Sequence, residues 1–249
     1  MSAWLRDVAR ALDERPAPLS VFFRDDDAGW ANDRLFALMT VFERHDLPLD
    51  IAVIPHAIDR DTAARLARRA RLAGRIGFHQ HGYAHITHAP DGRPCEFGPS
   101  RSDAAQRADI ARGREQLLML FGDALGPIFT PPWNRCTRAT GACLVDAGIA
   151  VLSRDATAVT LGVPGLAECP IASDWLQKRR GVPITRDEWA ASFADLIARR
   201  VDPVGVMFHH AVMDHGNRET LADLLNLLRR HGRVRAMTMS EAASRSLTA

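Results

Sequence analysis

Short apolar runs alternate along this chain with longer stretches in which apolar positions recur every three or four residues. The short runs predict β-strands at Leu19–Phe23, Asp50–Ile54, Ile76–Phe78, Ile128–Phe129, Ile149–Leu152, Cys169–Ala172, Val204–Phe208 and Val234–Ala236. The periodic stretches predict helices near Asp33–Arg44, Asp61–Ala73, Asp103–Phe121, Thr137–Asp146, Thr185–Arg199 and Arg218–Arg230. Asp61, Asp103 and Thr185 stand where a side-chain acceptor can cap a helix start. Gly74, Gly148 and Gly232 stand where a left-handed residue follows a last turn. Strand and helix alternate from end to end, which predicts parallel pairing through right-handed crossovers. Eight such strands predict an α/β fold closed as a (β/α) barrel; the pattern does not separate seven strands from eight. No linker-like shift in composition divides the chain, so residues 1–249 read as one domain. Ala89–Ser100 and Ala156–Ala167 read as long loops, the kind that line sites.

Composition narrows the function by exclusion. The net charge of +2 supplies no drive toward nucleic acid or an anionic membrane. Lys178 is the only lysine, and the arginines are scattered over helical faces, so their number reads as codon bias. No apolar run reaches the ~18 residues of a membrane span. The first ten residues mix charged with apolar positions, so they read as an amphipathic helix and not as an export signal; a cytoplasmic protein is the expectation. Cys95, Cys136, Cys143 and Cys169 form no CxxC pair and read as reduced thiols.

Chemistry enters at the strand ends. In a parallel barrel the C-terminal ends of the strands share one face, where catalytic groups gather. Polar clusters follow five of the apolar runs: Arg24–Asp27, His79–His85, Thr130–Arg135, Ser173–Trp175, and His209 with His210. Two imidazoles four residues apart plus a carboxylate from another strand end make a three-ligand site for zinc or a neighbouring metal, with a position left for water. Each cluster alone has a plainer reading. The aspartates could satisfy helix N-terminal donors, the histidines could be loop residues, and the proline pair could only stiffen a turn. It is their coincidence at strand ends that predicts a metal hydrolase.

At these residues the chain resembles the polysaccharide deacetylase, or NodB-like, family of carbohydrate esterases. Arg24-Asp25-Asp26 is similar to the family's Thr-Phe-Asp-Asp motif, and His81-Gly-Tyr-Ala-His85 to its His-(Ser/Thr)-x-x-His motif. Phe129-Thr-Pro-Pro-Trp133 resembles its Arg-Pro-Pro-Tyr-like motif, Asp174-Trp175 its Trp-bearing strand, and Met207-Phe-His209 its late Leu-x-His. Thr238-Met-Ser-Glu-Ala242 is similar to its closing turn into a final helix. The resemblance spans about residues 21–242.

The resemblance implies a distorted (β/α) barrel of seven or eight parallel strands and metal-dependent removal of an acetyl group. Carried over residue by residue, it implies a divalent ion, zinc first with cobalt or nickel possible, on Asp26, His81 and His85. It implies Asp25 as general base and His209 or His210 as general acid, with His209 placed where the family's histidine follows its strand. Tyr83, Trp133, Trp175 and Arg135 would contact substrate. Because three aspartates stand where the family has two, a second register would make Asp26 the base and Asp27 the ligand. Thr130 stands where the family carries an arginine that orients the base; Arg24 and Arg135 are the candidates to replace it. The implied substrate is a small acetylated sugar or a lipid- or nucleotide-linked glycan precursor. The alternatives are a C–N hydrolase on a non-sugar amide and a non-catalytic metal- or glycan-binding relative.

Overall fold

The computed structural model describes residues 2–246. Eleven strands are present among them: β1 (Leu19–Ala28), β2 (Leu49–Val53), β3 (Ile76–His81), β4 (Leu125–Thr130), β5 (Val151–Leu152), β6 (Ala167–Glu168), β7 (Ser173–Asp174), β8 (Lys178–Arg179), β9 (Val182–Pro183), β10 (Val204–His209) and β11 (Val234–Ala236). Eight helices accompany them: α1 (Arg6–Glu14), α2 (Asn32–Arg44), α3 (Arg60–Ala73), α4 (Asp103–Phe121), α5 (Arg138–Asp146), α6 (Arg186–Ala198), α7 (His215–Arg230) and α8 (Met239–Ser246).

The main sheet is all parallel and runs β6-β5-β4-β3-β2-β1-β10-β7, with β11 paired to the start of β1. This is the predicted α/β barrel, and its distortion lies at the closure. The outermost strands, β6 and β7, are the two halves of one extended segment. Its first half bonds to β5 through Cys169 N to Leu152 O, and its second half bonds to β10 through Ala172 N to Gly205 O. The strand expected at Cys169–Ala172 is therefore the corner between two short ladders. Gly205 is needed beside that corner: a Cβ there would meet the Phe22 ring at 2.3 Å and Pro170 O at 2.8 Å.

Strand alternation sorts the core into two layers. Phe22, Ile128, Val151, Ile171 and Met207 fill the barrel interior, while Val21, Phe23, Val206 and Phe208 face the surrounding helices. Met239, Ala242 and Ala243 of α8 join the interior layer, and Met239 N donates to Asp50 Oδ2 near the start of β2, so α8 plugs the closed end of the barrel.

Helix starts differ in detail from expectation. The caps of α3 and α4 are Asp59 and Ser102, whose extended backbones aim their oxygens at Thr62 N and Ala105 N. Asp61 and Asp103 lie inside the first turn instead. Helix α7 begins earlier than expected, on the Asp214 cap. It ends at His231 in extended backbone, so Gly232 is not the left-handed residue predicted; Gly74 and Gly148 are, at φ 69° and 73°. The β8–β9 hairpin carried no alternation strong enough to predict. All four cysteines are free thiols. No helix among the described residues is long and apolar enough to cross a membrane.

Candidate functional site

The site is built at the open end, starting from β1. Arg24 faces the interior and Asp25 faces outward, as alternation requires. Then the ladder to β2 slips: Asp25 pairs with Ile51, but Ala28 pairs with Val53, so β1 spends one extra residue. This is a one-residue bulge, with Asp27 in left-handed backbone at φ 75°. Bulges re-aim side chains. Here the bulge turns both Asp26 and Asp27 to the barrel mouth, where a straight strand would have presented only one of them.

Asp27 meets the two histidines. Its Oδ1 lies 3.1 Å from His81 Nε2 and 3.3 Å from His85 Nε2. Asp27, His81 and His85 form a group whose donor atoms all lie within 4.8 Å of one another. Asp26, expected as the ligand, is not in that group: its Oδ2 accepts from Arg24 Nη2 at 2.9 Å, and its buried Oδ1 has no partner. Burial raises the Asp26 carboxyl, but Arg24 and then His81 and His209 outweigh it and hold it below the usual range. Burial likewise pushes Asp27 up, and hydrogen bonding to His81 and His85 brings it well below an ordinary carboxylate.

Second contacts orient the imidazoles. His81 Nδ1 lies 2.9 Å from Thr130 O, a carbonyl that can only accept, so Nδ1 carries a proton and Nε2 is the nitrogen that faces Asp27. His79, on the same face of β3, is held by Thr130 Oγ1 at 2.9 Å; burial and then Arg24 push it down to about 3, so it stays neutral. Thr130 thus serves both imidazoles. His85 sits at φ 57°, between the rings of Trp133 (4.5 Å) and Trp30 (4.9 Å). The loop joining the two histidines is held from below by buried Glu96, which accepts from Tyr83 N and from Ala84 N at 2.7 Å. Gly82 makes room for it, since a Cβ there would lie 2.2 Å from Glu96 Oε2.

A buried guanidinium, Arg24 of β1, stands beside Asp26. Arg24 is fully buried and donates to Asp26, to Ser153 Oγ at 2.8 Å and to Asn134 Oδ1 at 2.8 Å. Arg135 does not take that part: its Nη1 donates to Pro94 O at 2.9 Å in an exposed bond. Trp133 and Asn134 are both left-handed, at φ 55° and 57°, which lets Asn134 reach Arg24 while Trp133 reaches His85.

The late histidines diverge by alternation. His209 pairs with Asp26 across the β1–β10 ladder, is half-buried, and interacts with the charges of Asp26, Asp27 and Asp174. His210 points outward and is fully buried. Its Nδ1 lies 2.6 Å from Asp25 Oδ2, its backbone N donates to Asp25 Oδ1 at 3.0 Å, and its Nε2 donates to Trp30 O at 2.8 Å. Asp25, expected as the base, is therefore committed to His210 on the outer face. Trp175, expected at the mouth, faces outward too: it is buried among Trp4, Trp189 and Phe208, with Arg186 over its ring at 4.1 Å. Asp174 beside it points inward. Tyr83 is half-buried on the α4 side of the mouth, against His56 (5.9 Å) and Arg112 (5.7 Å). A groove of about 660 Å³ between α3 and α4, lined by Ile58, Arg60, Arg112 and Gln116, brings together no comparable set of ligating atoms.

This set fits a divalent cation. A carboxylate oxygen and an imidazole nitrogen that face each other share a proton when the ring is charged and can share a cation when it is neutral. Separations of 3.1 and 3.3 Å lie close to the ~3.4 Å edge of a tetrahedron with zinc-like bonds.

No family model and no curated protein matches the chain. Solved structures do. A Mycobacterium smegmatis protein provisionally described as a polysaccharide deacetylase aligns over 94% of both chains with TM-score 0.68 and 17% identity. A family 4 acetyl xylan esterase from Clostridium thermocellum, solved with a cobalt ion, aligns over 90% of both chains with TM-score 0.59 and 15% identity. The chain has the polysaccharide deacetylase fold. A family 4 pseudoenzyme from Bacillus anthracis shares it, at TM-score 0.57 and 13% identity over 92% of this chain and 66% of its own. The fold thus carries both active and inactive sites, and function must be argued from the residues.

Proposed function

We propose that the protein is a metal-dependent deacetylase that hydrolyses the acetyl group of an N-acetylated amino sugar, free or carried on a nucleotide or lipid. The observation that carries this reading is the convergence of Asp27, His81 and His85 beside an acid, Asp26, that keeps one buried oxygen unpaired. Asp27, His81 and His85 hold the ion, zinc, with cobalt or nickel as substitutes. When bound, the ion supplies a Lewis acid that polarises the acetyl carbonyl and acidifies water.

The chain's own residues supply the proton transfers. Arg24 fixes one oxygen of Asp26 and keeps the carboxylate ionised, so its free oxygen can take the proton of the attacking water. His209, on the neighbouring strand end, gives a proton to the amine nitrogen as the C–N bond breaks, releasing acetate and the free amino sugar. His81 keeps its tautomer through Thr130 O. Trp133 walls the site beside His85, and Tyr83 borders it toward α4. A purely binding protein would have no use for a base and an acid on adjacent strand ends.

The test is acetate release from a panel of N-acetylated amino sugars, abolished by chelation and restored by zinc, cobalt or nickel. Asp26→Asn should keep the metal and lose about 10²–10⁴ in turnover; Asp27→Asn and His81→Ala should lose the metal itself. Metal-dependent amine release from a small non-sugar amide, without acetate from any sugar, would replace this reading with that of a different C–N hydrolase.

A further inference from the structure

Trp30 is a large apolar residue left 42% exposed at the rim of the mouth. An exposed indole is unremarkable on a loose loop, but this one is held from several sides. Its backbone N donates to Asp27 O at 3.1 Å, and its carbonyl accepts from His210 Nε2 at 2.8 Å. His210 is in turn clamped twice by Asp25. The chain on either side takes unusual backbone: Gly29 at φ 121°, where a Cβ would lie 2.9 Å from Ala57 Cβ, and Ala31 at φ 45°. Left-handed backbone at a non-glycine residue costs energy and persists where its surroundings impose it, often at sites. The indole meets His85 edge-on, at 4.9 Å and 68°. With Trp133 on His85 as well, the ligand group is bordered by two indoles.

We propose that Trp30 is a stacking platform for the pyranose ring that carries the acetyl group. The proposal rests on the deacetylase reading for the position of that group. With the acetyl carbonyl at the Asp27–His81–His85 set, the attached ring lies within one ring's reach of the rim, where Trp30 offers its exposed surface. The class of ligand follows from shape and surface. An uncharged pyranose presents a C–H face that an indole buries well. The Asp25–His210 pair is then a positioning device: it carries no proton for the reaction but fixes the loop that displays Trp30.

The test separates this proposal from the hydrolase reading by a binding measurement that needs no turnover. In metal-loaded Asp26→Asn protein, the indole N–H signal that disappears in Trp30→Ala should shift on addition of N-acetylglucosamine trimer. In the wild-type background, Trp30→Ala should raise KM for the trimer about tenfold while metal content holds, as expected for loss of one apolar stacking face. Trp30→Phe should recover most of the loss. If the signal stays still and KM moves less than twofold, the platform is refuted. Loss of metal and kcat together with unmoved KM also refutes it, because Trp30 would then only prop His85. If wild-type protein releases no acetate but the Trp30 signal shifts, the platform stands and the hydrolase reading falls.

Discussion

Removing the Asp25 carboxylate tests which aspartate is the base. Asp25 and His210 are both fully buried and share a 2.6 Å contact, with a second bond from His210 N and a third from Nε2 to Trp30 O. Burial disfavours charge on the ring, but the Asp25 charge and hydrogen bond outweigh it and hold His210 up to about 9. Burial also raises Asp25, so the pair keeps one proton between its two members. The unfolded chain releases that proton near the ordinary histidine value of about 6.5. A raised folded value means stability fully present below 6.5 and lost as pH climbs through 9. The gap of roughly 2.5 units corresponds to about 3 kcal/mol, in the range for breaking one side of a buried pair, about 3–5 kcal/mol.

Asp25→Ala should therefore cost about 3–5 kcal/mol in urea unfolding at pH 6, and the variant should lose the decline in stability between pH 6.5 and 9. Asp25→Asn should be milder. Its amide can accept from His210 N and donate to Nδ1 of a neutral ring, which still donates to Trp30 O. In both variants, turnover per folded, metal-loaded molecule should stay within about threefold, well short of the 10²–10⁴ lost with a general base. An Asp25→Asn protein that folds normally, keeps its metal and loses turnover a thousandfold would refute the assignment and restore Asp25 as the base.

Other measurements probe the support around the site. Asp50 is buried at the closed end, and burial outweighs the Met239 N–H to push it up to about 7. Its cost is absent below about pH 4, where both states are protonated, and grows as pH rises to 7, so Asp50→Asn should stabilise the protein at pH 8 by up to about 4 kcal/mol and change little at pH 4. A variant equally stable or weaker at pH 8 would mean that the Met239 bond needs the charged acceptor. Glu96→Ala should unpin the loop between His81 and His85 and weaken metal affinity about 10–100-fold, as seen for lost supports of metal ligands; equal affinity by chelator competition would count against it. Gly82→Ala should act in the same direction, because its Cβ would fall on Glu96 and Pro132. Arg24→Lys should retain charge but lose the fork that reaches Asp26, Ser153 and Asn134 at once, lowering kcat more than metal content; a kcat equal to wild type would show that charge alone suffices.

Period and punctuation in the sequence determined the order of strands and helices, their parallel pairing, and the gathering of polar residues at strand ends, because these follow from local alternation and chain connectivity. What the sequence could not determine is register between strands. The extra residue that β1 spends against β2 is a relation between two segments, and it turns Asp27 to His81 and His85 and Asp26 to Arg24. Counting a regular strand from Leu19 points instead to Asp25 and Asp26, whereas Asp25 contacts His210 on the outer face. The resemblance of Asp174-Trp175 to a Trp-bearing strand put Trp175 against the substrate, yet consecutive strand residues face opposite ways, and only the packing of Trp4 and Trp189 decides which way each points. The guanidinium beside Asp26 shows the same limit. Chemistry needs a guanidinium at one point in space, and a strand other than the one bearing Thr130 can deliver it. Arg24 reaches that point across the barrel interior, and Glu96 reaches the metal loop from a long connection with no periodicity. Such placements depend on which side chains fill a shared volume, and that volume exists only once the sheet has closed.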